Sequence, residues 1–364
     1  MSSVSHRSLT HLGMDVHKDS ISVAILRPDD SMDVEKLFHD EESVRRFIAR
    51  MGDHRRLTAC YEAGPTGYEL SRQLEHLGVR CRVVAPSLIP KAPGDRVKTD
   101  RRDCVRLALS HRAGLLTAIR IPSEQEEAVR DLVRTRADLV DDRKRMMQRI
   151  GALLQRHGRV WRAPRWTYQH RAWLDQQSFT EPALQAALRT YLAALDARDA
   201  ELAVLESQLR GCWASVDPLA SMVRQLGCYR GIAELTALTL AAEVADFRRF
   251  ASAPAFMGFT GLTPSEYSSG ARTRRGAITK AGPQLVRGAL IEAAWSYRHR
   301  PAIGATLRRR QAGCAAETLA RSWKAQQRLH ATYAKLTRRG KIPSVAVTAT
   351  ARELAGFVWA EMTS

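Results

Sequence analysis

Four acidic residues, Asp15, Glu62, Asp100 and Asp103, stand where a chain that alternates strand and helix signals would gather carboxylates at one edge of a sheet. Carboxylates are ligands that Mg²⁺ and Mn²⁺ favour, and two such ions about 3.5–4 Å apart stabilise the attacking and leaving oxygens of an in-line displacement at phosphorus. Hard oxygen donors drawn from distant parts of one chain therefore point to metal-dependent phosphoryl chemistry. A plainer reading competes for each residue alone, since acids at strand ends and helix starts also form turns and complement helix N-termini. Asp100 is the residue most open to that second reading.

The neighbouring sequence says what must hold these side chains. In HLGMDVHKDSISVAIL (11–26), Leu12, Met14 and Val16 alternate and are followed by Ile21, Val23 and Ile25. That predicts strand, turn, strand, with Asp15 on the face opposite the apolar residues. Glu62 ends a second apolar run, LTACYEAG (57–64), which Gly64 and Pro65 stop. Asp100 and Asp103 open a helix over TDRRDCVRLALSHRAG (99–114), and their spacing of three sets the carboxylates on one face, about 5–6 Å apart at Cβ. Helices are expected from Glu41 to Met51 and around Tyr68 to Leu77, with a further strand in CRVVAP (81–86). The stretch from Pro86 to Thr99 is rich in Pro, Gly and Lys and predicts a loop beside the same edge, where Lys91, Arg96 and Lys98 either touch phosphate or belong, equally well, to a plain solvated loop.

With 364 residues the chain is long enough for two or three domains with real cores. A formal net charge of +19 points to a polyanionic partner, nucleic acid first, because no apolar run is long enough to span a bilayer and the N-terminus reads as no secretory signal. Cys60, Cys81, Cys104, Cys212, Cys228 and Cys314 show no CxxC pair or zinc spacing and read as buried thiols of a reducing cytoplasm, without disulfides or zinc.

From Glu124 to His157 the pattern becomes that of a long helix: Leu132, Leu139, Met146 and Leu153 recur every seven residues beside Val133, Val140, Met147 and Leu154. A second long helix carries Leu184, Leu188, Tyr191, Leu195, Leu202, Leu205 and Leu209, with Arg198 interrupting the row. Heptad spacing of this length predicts a coiled-coil seam in an antiparallel hairpin. Periodicity leaves open whether the seam closes within a chain or between chains; a mixture is the expectation. The connection RVWRAPRWTYQHRAWL (159–174) sets Trp161, Trp166 and Trp173 among arginines, which suits base stacking and phosphate contact as well as ordinary packing.

Beyond about Asp217, Gly227 and Gly231 bracket a short turn between apolar helical stretches, either a helix-hairpin-helix element whose amides meet a phosphate backbone or a structural corner. Next, Ser268 and Ser269 precede Gly270, and Arg272, Arg274, Arg275, Lys280 and Arg287 follow closely. A hydroxyl among guanidinium groups is where a phosphodiester would dock, and where a serine could attack phosphorus. Helical, basic sequence with LRRRQ and LTRRGK runs completes the chain and can add DNA contacts.

Asp15 in GMDVHKD, Glu62 in YEAGPTGYEL, Asp100 and Asp103 in KTDRRD, and the block GLTPSEYSSGARTRRGAITKAG resemble the DEDD transposases of bacterial insertion sequences, relatives of the Piv-type DNA invertases, over nearly the whole chain. The resemblance implies an α/β plus all-α architecture: a RuvC-like ribonuclease H fold with the DEDD site in residues 1–120, a projecting coiled-coil hairpin in 121–213, and a mainly helical transposase domain with the serine motif in 214–364. It implies Mg²⁺ or Mn²⁺ on Asp15, Glu62, Asp100 and Asp103, and Ser269 as the nucleophile of a covalent serine–DNA intermediate. It further implies donor and target DNA, a structured noncoding guide RNA from the element itself, and a dimer or tetramer, joined through the coiled coil, whose composite site takes carboxylates from one protomer and serine from another. A cytoplasmic, nucleoid-associated protein would result. Two departures stand out: a second serine, Ser268, leaves open which hydroxyl attacks, and Cys104 replaces a smaller residue.

Competing functions remain on the residues alone. One is a RuvC-like, structure-specific DNA endonuclease that uses metal-activated water and forms no covalent intermediate. Another is a non-catalytic nucleic-acid-binding protein with structural acids.

Overall fold

A computed structural model describes residues 8–90, 99–214, 216–269 and 272–364, so Lys91, Arg96, Lys98 and Gly270 lie outside the described residues. It divides into two compact units, residues 1–121 and 122–364.

The first unit is built on a five-stranded mixed sheet. β1 (Thr10–Val16), β2 (Ser20–Leu26) and β3 (Met32–Phe38) form an antiparallel meander, followed by α1 (Glu41–Arg50), β4 (Leu57–Glu62), α2 (Glu69–His76), β5 (Arg80–Val84) and α3 (Asp100–Arg112). The strand order is β3-β2-β1-β4-β5, with β4 parallel to both β1 and β5. Strand alternation sends Leu12, Met14, Val23 and Ile25 to one face, where they pack with Val44, Phe47 and Ile48 of α1 and Leu70 and Leu74 of α2. The other face receives α3 through Cys104, Leu107 and Ala108. β3 went unread in the sequence because MDVEKLF is a half-exposed edge strand with no fully buried residue.

The second unit opens with α4 (Glu124–Arg156), α5 (Tyr168–Asp175) and α6 (Pro182–Cys212). α4 starts at a capping box in which Ser123 and Glu126 exchange side-chain and backbone bonds. α4 and α6 run antiparallel, because Arg136 pairs with Glu206 at 2.6 Å and Arg143 with Asp199, seven residues forward on one helix and seven back on the other. The seam thus closes within one chain. Its near end, Val129, Val133, Leu205 and Leu209, belongs to the core of the C-terminal helices; its far end is a separate cluster with Ile150, Leu153, Leu154, Leu188, Leu192 and Leu195.

α7 (Leu219–Gly227), α8 (Glu234–Val244) and α9 (Ala253–Phe259) lead to a two-stranded hairpin of β6 (Pro264–Ser269) and β7 (Arg272–Ile278), and α10 (Gln284–Ala294), α11 (Ala305–Gln311), α12 (Ala316–Arg338) and α13 (Pro343–Met362) complete the unit. The turn between α7 and α8 is a packed corner: Cys228, Tyr229 and Ile232 are buried, and a Cβ on Gly231 would lie 2.2 Å from the Ala293 carbonyl oxygen. All six cysteines are free thiols. No helix among the described residues is long and apolar enough to cross a membrane.

Candidate active site

Gly13 determines how the carboxylates meet. It lies on the face of β1 turned to α3, and a Cβ there would sit 2.3 Å from both the Ala108 nitrogen and the Cys104 carbonyl oxygen. Strand and helix are therefore in backbone contact, and the first turn of α3 comes to the end of β1. Thr99 caps that turn by accepting the Arg102 N–H, and Asp100 and Asp103 fall where the helix N-terminus favours negative charge.

His17, in the β1–β2 turn, completes the cluster. Its Nε2 is 3.3 Å from an Asp15 oxygen and 3.5 Å from an Asp100 oxygen, and ligand atoms of all three lie within 4.8 Å of one another. Opposite ligands on an octahedral Mg²⁺ stand about 4.2 Å apart, so small side-chain rotations would close the set around one ion. The oxygens suit Mg²⁺ or Mn²⁺; the imidazole is the donor that Mg²⁺ takes least readily. Asp103, largely buried beneath, accepts a 2.6 Å bond from Arg106. Burial pushes the Asp15 carboxyl above its usual range, His17 opposes that, and Asp103 and Asp100 push it further. Ionised Asp15 is thus short of compensating charge, which a divalent cation would supply. The neighbouring Cys104 thiol, pushed up to about 11 chiefly by burial, stays protonated and does not compete as a ligand.

Glu62 occupies the end of β4, which pairs with β1 up to Met14 opposite Tyr61, so Asp15 and Glu62 end adjacent parallel strands. Its side chain is exposed and is not in the group that converges within 4.8 Å. The structure thus gathers Asp15 and Asp100 with His17, holds Asp103 close enough to act on the Asp15 charge but outside that group, and leaves Glu62 at the rim. Sequence reading passed over His17, although its two-residue step from Asp15 across a tight turn is a usable signal.

Ser269 is the last residue of β6 and pairs with Arg272, the first of β7, so the serine is the last paired residue before the chain crosses from β6 to β7. Ser268 pairs with Thr273, and Arg275 pairs with Glu266. Arg274 and Lys280 are exposed. Arg287 has a task in the fold: its NH1 donates to the carbonyls of Thr260, Lys280 and Ala281 at 3.1–3.3 Å. Two glycines with positive φ make the same loops interlock, since a Cβ on Gly282 would lie 1.8 Å from the Phe259 oxygen and one on Gly261 2.2 Å from the Ala281 oxygen.

Comparison with known proteins fits this arrangement. A DEDD transposase model of the IS110 type matches residues 12–158, and a model described as transposase of the IS116/IS110/IS902 family matches residues 224–308. A Sinorhizobium fredii protein named as transposase y4qE is 42% identical over 96% of this chain and 87% of its own. The transposase for insertion sequence element IS1533 of Leptospira borgpetersenii is 32% identical over 91% of this chain and 97% of its own. A Pseudomonas aeruginosa protein named as a family 20 transposase is 29% identical over 66% of this chain and 72% of its own. Acidic residues converging beside a mixed sheet, in a chain with these relatives, make this a member of the DEDD-type IS116/IS110/IS902 transposase family, enzymes that cut and rejoin DNA.

Proposed function

We propose that this transposase moves a bacterial insertion sequence with Mg²⁺ or Mn²⁺ held by Asp15, Glu62, Asp100 and Asp103 in a RuvC-like domain, and with Ser269 as nucleophile. The observation that carries the reading is the convergence of Asp15 and Asp100, with His17, and Asp103 beneath them. Bound cations would offset the charge that accumulates on phosphorus. The Ser269 hydroxyl releases its proton to water and attacks phosphorus; the P–O bond of the scissile strand breaks, one DNA end stays bonded to serine through its phosphate, and the other leaves as a hydroxyl after its oxygen takes a proton back from water. Attack by a DNA hydroxyl reverses the step on a new partner and frees the serine. Arg272, Arg274, Arg275 and Lys280 flank the serine in sequence and neutralise the phosphates that it approaches; Arg287 braces the base of their hairpin.

Carboxylates and serine belong to separate units, which accords with a composite site shared between protomers of a dimer or tetramer. In the same reading a structured noncoding RNA from the element pairs with donor and target DNA and supplies sequence choice, and the protein works on the nucleoid in the bacterial cytoplasm. The test incubates the full chain with Mg²⁺, labelled element-junction DNA and RNA from the flanking noncoding segment. A protein–DNA adduct that disappears in Ser269→Ala is expected. Cleavage without an adduct would instead establish hydrolysis by metal-activated water, with Ser269 as a phosphate contact.

A further inference from the structure

The far end of the α4–α6 hairpin is left unused by the chemistry above. From Arg143 to Leu174 the chain has nine Lys and Arg and no Asp or Glu. Arg156, Arg162 and Arg165 are exposed and form no ion pair among the described residues. A cavity of about 400 Å³ opens between the end of α4 and α5, lined by Arg159, Trp161, Arg165, Trp166, His170 and Trp173 among others, a size in the roughly 300–1,000 Å³ range of ligand pockets.

Its aromatic walls are fixed from behind. His170 stacks on Trp173 with ring centroids 5.7 Å apart, and the Trp161 ring stands 5.5 Å from both. Trp161 Nε1 donates to the Pro164 carbonyl at 3.1 Å, and the Trp166 N–H donates to His170 Nδ1 at 2.9 Å. Trp166 itself is held at φ +63°, a strained position for a non-glycine residue of the kind that collects at binding sites. A packing role alone would bury the indoles, yet Trp161, Trp166 and Trp173 are each half-buried and neighbouring Tyr168 is 90% exposed. A second copy of this tip would bring like charges together, whereas a polyanion meets opposite charge.

We propose that this cavity receives an unpaired base of single-stranded DNA, stacked on the half-buried indole of Trp161, with Arg156, Arg162 and Arg165 on the adjoining phosphates. Aromatic stacking with flanking cations holds single strands of any sequence. DNA is favoured over RNA because recognition of a 2′-hydroxyl needs a fixed polar partner. Trp161 Nε1 and His170 Nδ1 are already engaged by Pro164 and Trp166, and the Gln and Arg side chains of the lining, Gln148, Gln155, Arg159 and Arg165, are long, exposed and not fixed by a hydrogen bond among the described residues.

The full chain, in EDTA so that neither metal nor strand cleavage enters, is irradiated with a single-stranded DNA of about 12 nucleotides carrying 5-bromouracil, and the cross-linked peptide is mapped. Affinity is measured for the parent, for Trp161→Ala, and for the exposed double variant Arg162→Gln/Arg165→Gln, which leaves the aromatic packing in place. Cross-links within residues 159–173 and about tenfold weaker single-strand binding in both variants are expected. Cross-links confined to other segments, unchanged affinity in both variants, or RNA of the same sequence binding as tightly as DNA would each overturn the proposal. None of these results bears on the carboxylates or on Ser269.

Discussion

Gly13 of β1 lies against the backbone of Ala108 in α3 with no space for a side chain between them: a Cβ would come within 2.3 Å of the Ala108 nitrogen. Gly13→Ala therefore has to push α3 off the sheet, because the obstacle is backbone rather than a flexible side-chain end. Overpacking of this kind costs about 1–3 kcal/mol, which for a unit of this size is a fall of roughly 4–20 °C in melting temperature. Calorimetry should show that loss, and strand joining should fall with it as Asp100 and Asp103 leave Asp15.

Asp15→Asn should separate stability from activity. Burial and the neighbouring carboxylates hold the Asp15 carboxyl above its usual range, so its ionised form is a cost to the folded chain. The sign follows: that cost is present at neutral pH and vanishes as acid protonates the group, and a neutral amide removes it at any pH. Melting in EDTA is expected to be unchanged or about 2 °C higher than the parent, while added Mg²⁺ is expected to raise the melting temperature of the parent and not of the variant, which should also fail to join DNA. A lower melting temperature in EDTA would contradict this assignment of the charges.

Arg287→Lys keeps the charge but ends one bond shorter, so its ammonium falls short of the point where the three carbonyl oxygens converge on the guanidinium NH1. Losing charge-assisted bonds to Thr260, Lys280 and Ala281 should cost about 2 kcal/mol and loosen the base of the β6–β7 hairpin. Limited proteolysis should then cut between Gly261 and Gly282 sooner than in the parent. Joining should drop by at least about tenfold, as misplacement of a reacting group by a fraction of its own size is enough to do.

His170 makes the hairpin tip sensitive to acid. Its ring is held below the ordinary histidine range, first by burial and then by Arg165, and Nδ1 accepts the Trp166 N–H, which requires the neutral form. A depressed folded-state value means that this stabilisation is complete above the unfolded value of about 6.5 and is lost as pH falls through the lower folded value. Hydrogen exchange at the Trp166 amide, corrected for intrinsic rate, should accelerate on acidification below about pH 6.5, and the Trp fluorescence of the tip should change over the same interval.

Much of this was legible in the residues. Alternation in 11–26 and in 57–62 placed β1, β2 and β4, and the spaced acids Asp100 and Asp103 marked the start of α3. Heptad rows gave both long helices, though not that their seam closes within one chain, which depends on cross-pairs such as Arg136 with Glu206. Three features escaped for physical reasons. β3 hides its pairing behind an edge strand half open to water. β7, RTRRGAI, is held by backbone bonds and carries too many charges to alternate visibly. The role of Gly13 is a contact between chain segments about 95 positions apart, which no local pattern encodes.

The matched pairs Arg136–Glu206 and Arg143–Asp199 make the α4–α6 hairpin a ruler. Because each heptad in one arm faces a heptad in the other, removing one from both would preserve the faces that pack while shortening the reach by about 10 Å. Arm length in such a protein is thus graduated in heptads: trimming both arms by one should keep the helices paired, read by circular dichroism as unchanged helicity per residue, whereas trimming one arm alone should throw its charges and apolar rows out of step.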